Sequence, residues 1–515
     1  MTTAISSPFA MTATGTSALP PPIKRIAEGT AQQEDIWEAI QAREVNIVVN
    51  ALAGTGKSTT CRESMFRVKD ADPSARIRYT CFNKAIATEF GAKCPPGVEV
   101  GTMHSFALRA LSSSFAPTID KNKTYAILDE IPGGDKLARP LRRNIAKLVS
   151  LAKNHAITDP KDFTAWDDLD NLIDYYEINF FANERDRAIS VAIEAIERSA
   201  KQTSVVDFDD MLWLPLIHEV RFPSCDILFI DEAQDMNAVQ HRLSALLNPD
   251  GVTVVIGDPR QAIYGFRGSD SESMAKMTDQ LGALVLPLTM TFRCPQSHVR
   301  LARQIVPDFE AHPSNPEGTL TTGSVGDLQG AQPGDLVLCR ANAPLVRECL
   351  ALIARGVRAN MRGRAIGDSL EAVFLKADRN QSRTVADFTA RLEAYRRREA
   401  TRLDAKEGSE DLIEQLTDRC AAVEAIASSC QTPADVIPAI RTLFSDDDPA
   451  GYVTFSSIHR AKGSEARRVW LIDKPYAPPG RGRQPQPWEL VQRANLTYVG
   501  QTRSLDTLNV IPYAG

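Results

Sequence analysis

Short apolar runs, each closed by a polar or glycine-bearing cluster, set the rhythm of this chain. NIVVNAL (46–52), RIRYTCF (76–82), DILFIDE (226–232), VTVVIGD (252–258) and LVLPLTM (284–290) come first. DLVLCR (335–340), YVTFSS (452–457), RVWLID (468–473) and TLNVIP (507–512) follow later. Runs that are apolar throughout, rather than alternating, predict strands buried on both faces, as in parallel sheets. Helical stretches separate them, so the pattern predicts an α/β protein. Two long segments break the rhythm. Residues 107–205 contain RRNIAKLVSLAKNHAI and RDRAISVAIEAIERSA, both with amphipathic helical spacing. Residues 345–445 behave similarly: Phe388, Leu392 and Tyr395, then Leu412, Leu416, Val423 and Ile426, form apolar stripes suited to core packing. The predicted organisation is a flexible tail (1–22), a first core (23–106 and 206–283) interrupted by a helical insertion (107–205), and a second core (284–344 and 446–515) interrupted by a reduced helical insertion (345–445).

Composition narrows the class only modestly. The 515 residues are 43% hydrophobic and 24% charged, ordinary for a globular protein with proper cores. A formal net charge of -6 argues against a passive nucleic-acid coat but leaves room for an enzyme with one basic groove. The nine cysteines are scattered singly, without zinc spacing, and predict reduced, buried thiols. There is no apolar run long enough to span a membrane, and the first 22 residues lack the build of a signal peptide. A cytoplasmic protein is expected, or a nuclear one in a eukaryote.

In open parallel sheets ligands sit beyond the carboxyl ends of the strands, so the polar clusters there carry the candidate chemistry. NALAGTGKSTT (50–60) is nearly a phosphate-binding loop, with Ala51 where the usual pattern has glycine. Residues Ala53, Gly54, Thr55, Gly56, Lys57, Ser58 and Thr59 would wrap phosphate oxygens with backbone N–H groups; Lys57 would reach the outer phosphates and Ser58 would ligate magnesium. Alone, so short a pattern is as readily a coincidence of small residues. Its place between a strand and a helix is what distinguishes it. DEAQD (231–235) puts Asp231 where it would hold magnesium and Glu232 where it would activate water; an acidic helix cap is the plainer alternative. In GDPRQAIYGFRG (257–268), Gln261 suits a sensor of the terminal phosphate, while Tyr264, Phe266 and Arg267 suit base stacking and phosphate pairing. A packed turn with a surface arginine would explain that stretch equally. Arg293 in TMTFRCP and Arg503 in LTYVGQTRS could cross a cleft onto a transferring phosphoryl group, although isolated arginines are usually salt-bridged.

In this order the motifs resemble those of the UvrD/Rep-like superfamily 1 DNA helicases along residues 30 to about 512, with wording closest to the F-box DNA helicase branch and its phage and bacterial relatives. TAQQ (30–33) resembles the adenine-reading motif, which implies Gln32. YTCFNKAIATEF and GTMHSFALRAL resemble two strand-contacting motifs, implying nucleic-acid roles for Phe82, Asn83, Thr102 and His104. DFDDML (207–212) resembles the segment before DEAQD, and RANA (340–343) implies DNA contacts for Arg340 and Asn342. HRAKGSE (459–465) implies His459 on DNA and Glu465 at the nucleotide, and Phe292 would stack near the adenine. Ser464 and Ser504 depart from the family wording, and the interval from Arg293 to His459 looks too short for a full accessory domain. The resemblance implies two RecA-like P-loop domains that use ATP and Mg2+. The implied activity is 3′ to 5′ translocation on single-stranded DNA and unwinding at ss/dsDNA junctions. Action as a monomer, alongside replication or recombination proteins, is expected. A DNA-stimulated ATPase that strips bound proteins with little unwinding would carry the same motifs.

Overall fold

All nine apolar runs fold as strands in the computed structural model. It describes residues 25–26, 28–157, 165–176, 178, 180, 183–263, 272–378, 382–404, 410–445, 451–476 and 487–513. The first sheet contains β1 (Ile47–Ala51), β2 (Ile77–Cys81), β3 (Val98–Thr102), β4 (Ile227–Ile230), β5 (Val252–Gly257) and β6 (Leu284–Leu288), in the order β3-β2-β4-β5-β1-β6. Every neighbouring pair is parallel. Parallel neighbours need crossovers, supplied by helices such as Lys57–Ala71 after β1 and Ala238–Leu247 after β4. β4 and β5 are buried along their whole length, as their unbroken apolar runs require.

A second sheet holds β7 (Thr319–Thr322), β8 (Leu336–Cys339), β9 (Ala359–Arg362), β10 (Phe444–Ser445), β11 (Val453–Ser457), β12 (Ala466–Asp473) and β13 (Ser504–Pro512). Their order is β7-β13-β12-β8-β11-β9-β10, again wholly parallel. The molecule is therefore an α/β protein with two parallel sheets.

Two expected boundaries move. β6, assigned from sequence to the second core, pairs with β1 from Ile47↔Leu284 to Ala51↔Leu288 and closes the first sheet. It is an edge strand with exposed Leu284 and Val285, a position that tolerates Pro287, which has no N–H to donate. An apolar run announces a strand but not the sheet it joins. The second correction is that 345–445 is not wholly an insertion: β9 and β10 pair within the second sheet. Half-polar ANMR carries no apolar run to announce it. The helical layer thus narrows to Arg364–Ala377, Val385–Asp404, Glu410–Ser428 and Val436–Leu443. Its stripe residues Phe388, Leu392, Tyr395, Leu416, Val423 and Ile426 pack in one cluster with Val337, Met361 and Phe455 of the sheet.

In the first insertion, helices Met103–Phe115, Lys123–Glu130, Arg139–Asn154, Ala165–Tyr175 and Arg185–Lys201 share one core. A short parallel pair, Thr118–Ile119 with Val205–Val206, joins the insertion at its base. The two sheets meet through side chains. Leu52 and Ala53 beyond β1 pack with Cys294, Phe309 and Tyr498, and Ile263 beyond β5 packs with Leu336, Val469 and Leu496. All nine cysteines are free, seven of them buried. No helix among the described residues is long and apolar enough to cross a membrane.

Candidate nucleotide site and nucleic-acid surface

The loop after β1 turns because Gly54 (φ 70°) and Gly56 (φ 84°) take left-handed conformations. Gly56 caps helix Lys57–Ala71, so the loop amides and the positive end of the helix dipole point the same way. Gly54 also permits a close approach: a Cβ there would sit 2.5 Å from Cβ of Arg293 and 2.6 Å from Oγ1 of Thr291. The Phe292 N–H donates to the Gly54 carbonyl (2.9 Å), fastening the TMTFRCP turn to the loop. Thr55 is buried, and its hydroxyl donates to the Leu52 carbonyl (2.9 Å).

Around this loop lies a dense charged cluster. Burial works against the Lys57 ammonium, but Glu232, Asp258 and Asp231 outweigh it and hold its pKa above the ordinary value. Burial, then the neighbouring Glu232, pushes Asp231 up to about 6, while Tyr79 donates to it (2.7 Å). Glu232 is held below the ordinary value because Lys57 and Lys462 together overcome its burial. Its backbone is left-handed (φ 53°), a strained state for a non-glycine residue that the Asp231 carboxylate supports by accepting the Glu232 N–H (2.9 Å). The Gln234 amide donates to the Glu232 carboxylate (2.5 Å). Gln261 is buried and donates to Asp258 (2.7 Å). Burial raises the Asp258 carboxyl as well.

Loops of the second sheet and the segment linking the two sheets supply the cations. Lys462 forms a buried ion pair with Asp235 (2.5 Å) and donates to the Gln261 carbonyl (2.8 Å). Arg293 pairs with Glu465 (2.6 Å). Arg503 is 1% exposed, and its guanidinium donates to the Val499 carbonyl and the Thr502 hydroxyl. Burial, then the proximity of Arg293, lowers its pKa to about 10, so it stays charged at neutral pH. Among the described residues neither Lys57 nor Arg503 has an ion-pair partner.

The structure therefore brings together Ala53–Thr59, Asp231, Glu232, Gln261, Phe292, Arg293, Glu465 and Arg503. Phe292 is 44% exposed and stacks on His312 (centroids 4.9 Å apart), presenting an aromatic face beside the loop. The expected amide at Gln32 is bonded at both ends to Thr289. Its neighbour Gln33, bonded at both ends to Thr30 and Thr60, is the glutamine nearer Gly56. The Thr30/Gln33 capping box was the available signal.

Elsewhere the expected nucleic-acid residues divide. Phe82 is 61% exposed beyond β2, and Asn83 caps helix Lys84–Gly91 through its side chain. Thr102 caps helix Met103–Phe115, and burial holds the half-buried His104 below the ordinary histidine pKa despite nearby Asp209. His459 lies half-buried beyond β11. Arg340 is not offered to solvent as expected: it pairs with Glu414 (2.6 Å), donates to the Lys474 and Pro475 carbonyls and stacks on Tyr476. The backbone N–H of Asn342 is held by Asp418, while its side-chain Oδ1 has no partner among the described residues. Both tie β8 to the helical layer, the plain consequence of a strand end overlaid by acidic helix Glu410–Ser428. Tyr264, Phe266 and Arg267 lie outside the described residues. Sequence reasoning missed Tyr79, Asp258, His312 and Tyr498. Of these, Asp258 alone carried a clear signal, being an acid directly after an apolar strand.

Part of the chain resembles known proteins. Residues 32–282 match the UvrD/REP helicase N-terminal domain family. DNA helicase II of Escherichia coli (strain K12) is 26% identical over 296 residues, covering 52% of this chain and 39% of the relative. ATP-dependent DNA helicase PcrA of Staphylococcus epidermidis is 25% identical over 321 residues, covering 56% and 41%. F-box DNA helicase protein 1 of Schizosaccharomyces pombe is 25% identical over 305 residues, covering 53% and 32%. The matched part thus spans about two-fifths or less of these relatives' own length. Over residues 32–282, just under half of its length, the chain is thus similar to the N-terminal domain of UvrD/REP helicases.

Proposed function

We infer that this chain is an ATP-driven single-stranded DNA translocase and helicase moving 3′ to 5′. One observation carries the reading: Lys57 and the Asp231/Glu232 pair of the first sheet meet Arg293, from the segment linking the sheets, and Arg503 of the second sheet, buried with no carboxylate partner among the described residues, around one glycine-built loop. A phosphoryl group in transfer spreads negative charge over its equatorial oxygens, and cations converging from two bodies suit that charge. The loop amides and Lys57 would bind the phosphates of ATP, Phe292 would stack on the base, and Gln33 would face it. Ser58 and Asp231 would hold magnesium, which would neutralise phosphate charge. Glu232, kept ionised by Lys57 and Lys462, would orient the attacking water and take its proton. Exposed Phe82, with Asn83, Thr102, His104 and His459, would grip the strand by stacking and polar contact, with little preference among bases.

DNA-stimulated ATPase activity tests the reading directly. Lys57→Ala and Glu232→Gln should each lower kcat by on the order of 10²-fold or more while the fold survives. Wild-type protein without such activity would sink the proposal. Unwinding of a 3′-tailed but not a 5′-tailed duplex would support the polarity. Displacement of a bound recombinase without unwinding would favour the stripping ATPase instead.

A further inference from the structure

Helix Pro487–Gln501 lies between the two sheets and runs straight into Arg503. Gln492, Asn495 and Tyr498 recur about one turn apart, so they share one face. All three reach across to the first sheet's loops. The Gln492 amide donates to the Ile263 carbonyl (3.3 Å). The Asn495 amide, 1% exposed, donates to the carbonyls of Pro259 (3.3 Å) and Ala262 (3.1 Å), bracketing Gln261. The Tyr498 hydroxyl, fully buried, accepts the Ala53 N–H of the phosphate loop (2.8 Å), while its ring meets Phe309 edge-on (5.6 Å). At the end of the same helix the Arg503 guanidinium donates to the Val499 carbonyl, so its position is set by this helix too.

We propose that Tyr498 and Asn495 are positioning residues that register the phosphate loop and the Gln261 loop against Arg503. The inference rests on the nucleotide site proposed above. Neither side chain touches the reacting atoms. Tyr498 fixes the N-terminal limb of the phosphate loop, Asn495 fixes both shoulders of Gln261, and the helix carries that register to the arginine. Initial nucleotide binding draws mainly on the first sheet's own groups, Gly54–Thr59 and Lys57. The register matters when Arg503 and Gln261 must meet the phosphoryl group together, so its loss should weaken the transition state more than the ground state.

Tyr498→Phe removes one hydroxyl and keeps the ring packing; Asn495→Ala provides a second, independent break. Affinities for magnesium–ADP and for magnesium–ADP with aluminium fluoride, a transition-state mimic, are measured with single-stranded DNA present. Each variant should bind the mimic about tenfold more weakly, the effect of stranding a buried backbone group, and bind ADP within about twofold of wild type. A merely structural defect lowers the amount of binding-competent protein and leaves the ratio of the two affinities unchanged. Such an unchanged ratio in the variants that fold overturns the proposal. If wild-type protein neither binds the mimic nor hydrolyses ATP, the nucleotide-site reading fails with it. If wild type does both and the variants keep its ratio, only the positioning role fails.

Discussion

Two charge clusters among the described residues differ in a way that separates a clamp from a site. In the first insertion Lys123 and Lys153 meet Asp207 and Asp210, two charges against two. Lys123 contacts Asp210 (2.7 Å), and Lys153 contacts Asp210 (2.7 Å) and Asp207 (3.1 Å). Asp207 and Asp210 complete each other's capping box at helix Phe208–Ile217, and Thr124 and Ser199 fill remaining lone pairs. Every charge has an opposite partner at contact distance. Around the phosphate loop, by contrast, Lys57 and Arg503 have none among the described residues, while Asp231, Glu232 and Asp258 take their hydrogen bonds from neutral groups. The same density of buried charge is closed in one place and left locally unpaired in the other. Unpaired buried charge costs stability, and its persistence beside a strained Glu232 points to chemistry rather than packing.

Substituting the arginine should break the comparison most forcefully. Arg503→Ala removes a cation with no carboxylate to strand, so ATPase kcat should fall on the order of 10³-fold while the melting temperature moves little. Steady-state kinetics and a thermal melt on the same preparation check both halves. A large loss of stability would mean that Arg503 serves the fold and would remove the contrast.

Asp210→Ala is the converse experiment. It strands buried Lys123, leaves buried Lys153 with Asp207 alone, and should destabilise the protein by about 3 kcal/mol. Denaturant titration measures that loss. The nucleotide affinity of the folded fraction should not change, because none of the clamp residues reaches the phosphate loop.

Acid separates the clusters more gently. Burial opposes the Asp207 charge, but Lys153 and the Asp210 N–H hold its carboxyl below the ordinary 3.8. A carboxyl with a depressed folded pKa stabilises above its unfolded value, and the contribution is lost as pH falls through the folded one. Asp207→Asn keeps a good helix cap without the charge. The stability advantage of wild type over this variant should therefore shrink once the pH drops below 3.8, by less than the whole effect of Asp210→Ala. Melting both proteins across that range tests the sign. A gap that widens in acid would contradict the clamp.

What the sequence disclosed follows the same physical division. Strand interiors and the loop chemistry after them were legible, because unbroken apolar runs and glycine-lysine spacing are local signals. β3, β7 and β9 were not, since their half-exposed or polar residues carry no run. The sheet that β6 joins was hidden for another reason: pairing is a long-range property, and LVLPL fits either sheet. Among the site residues, those with a local motif fell at the loop. Arg340 did not behave as the resemblance implied, because its occupation by Glu414 depends on where a helix some seventy residues later comes to rest. Tyr498 and Asn495 were invisible as rungs until the helix bearing them was seen lying across both sheets.

The smallest expected effect concerns the residue that first made the loop look damaged. Ala51 is the last residue of β1, fully buried, and aligned with Leu288 of β6. Its methyl belongs to the core cluster with Ile36, Met65 and Leu288, away from the Gly54–Gly56 turn that faces the charged groups. The left-handed conformations that the loop needs fall at Gly54 and Gly56, and Ala51 is not among the residues with positive φ. A glycine there would add backbone freedom that nothing in the turn uses. Ala51→Gly should therefore cost about 0.5–1 kcal/mol of stability from strand entropy and lost burial. Its ATPase kcat and KM should stay within about twofold of wild type, since no phosphate-facing amide moves. A marked gain in kcat would show that the alanine restrains the loop, and the line between closed packing and open chemistry would then have to be drawn inside β1 rather than after it.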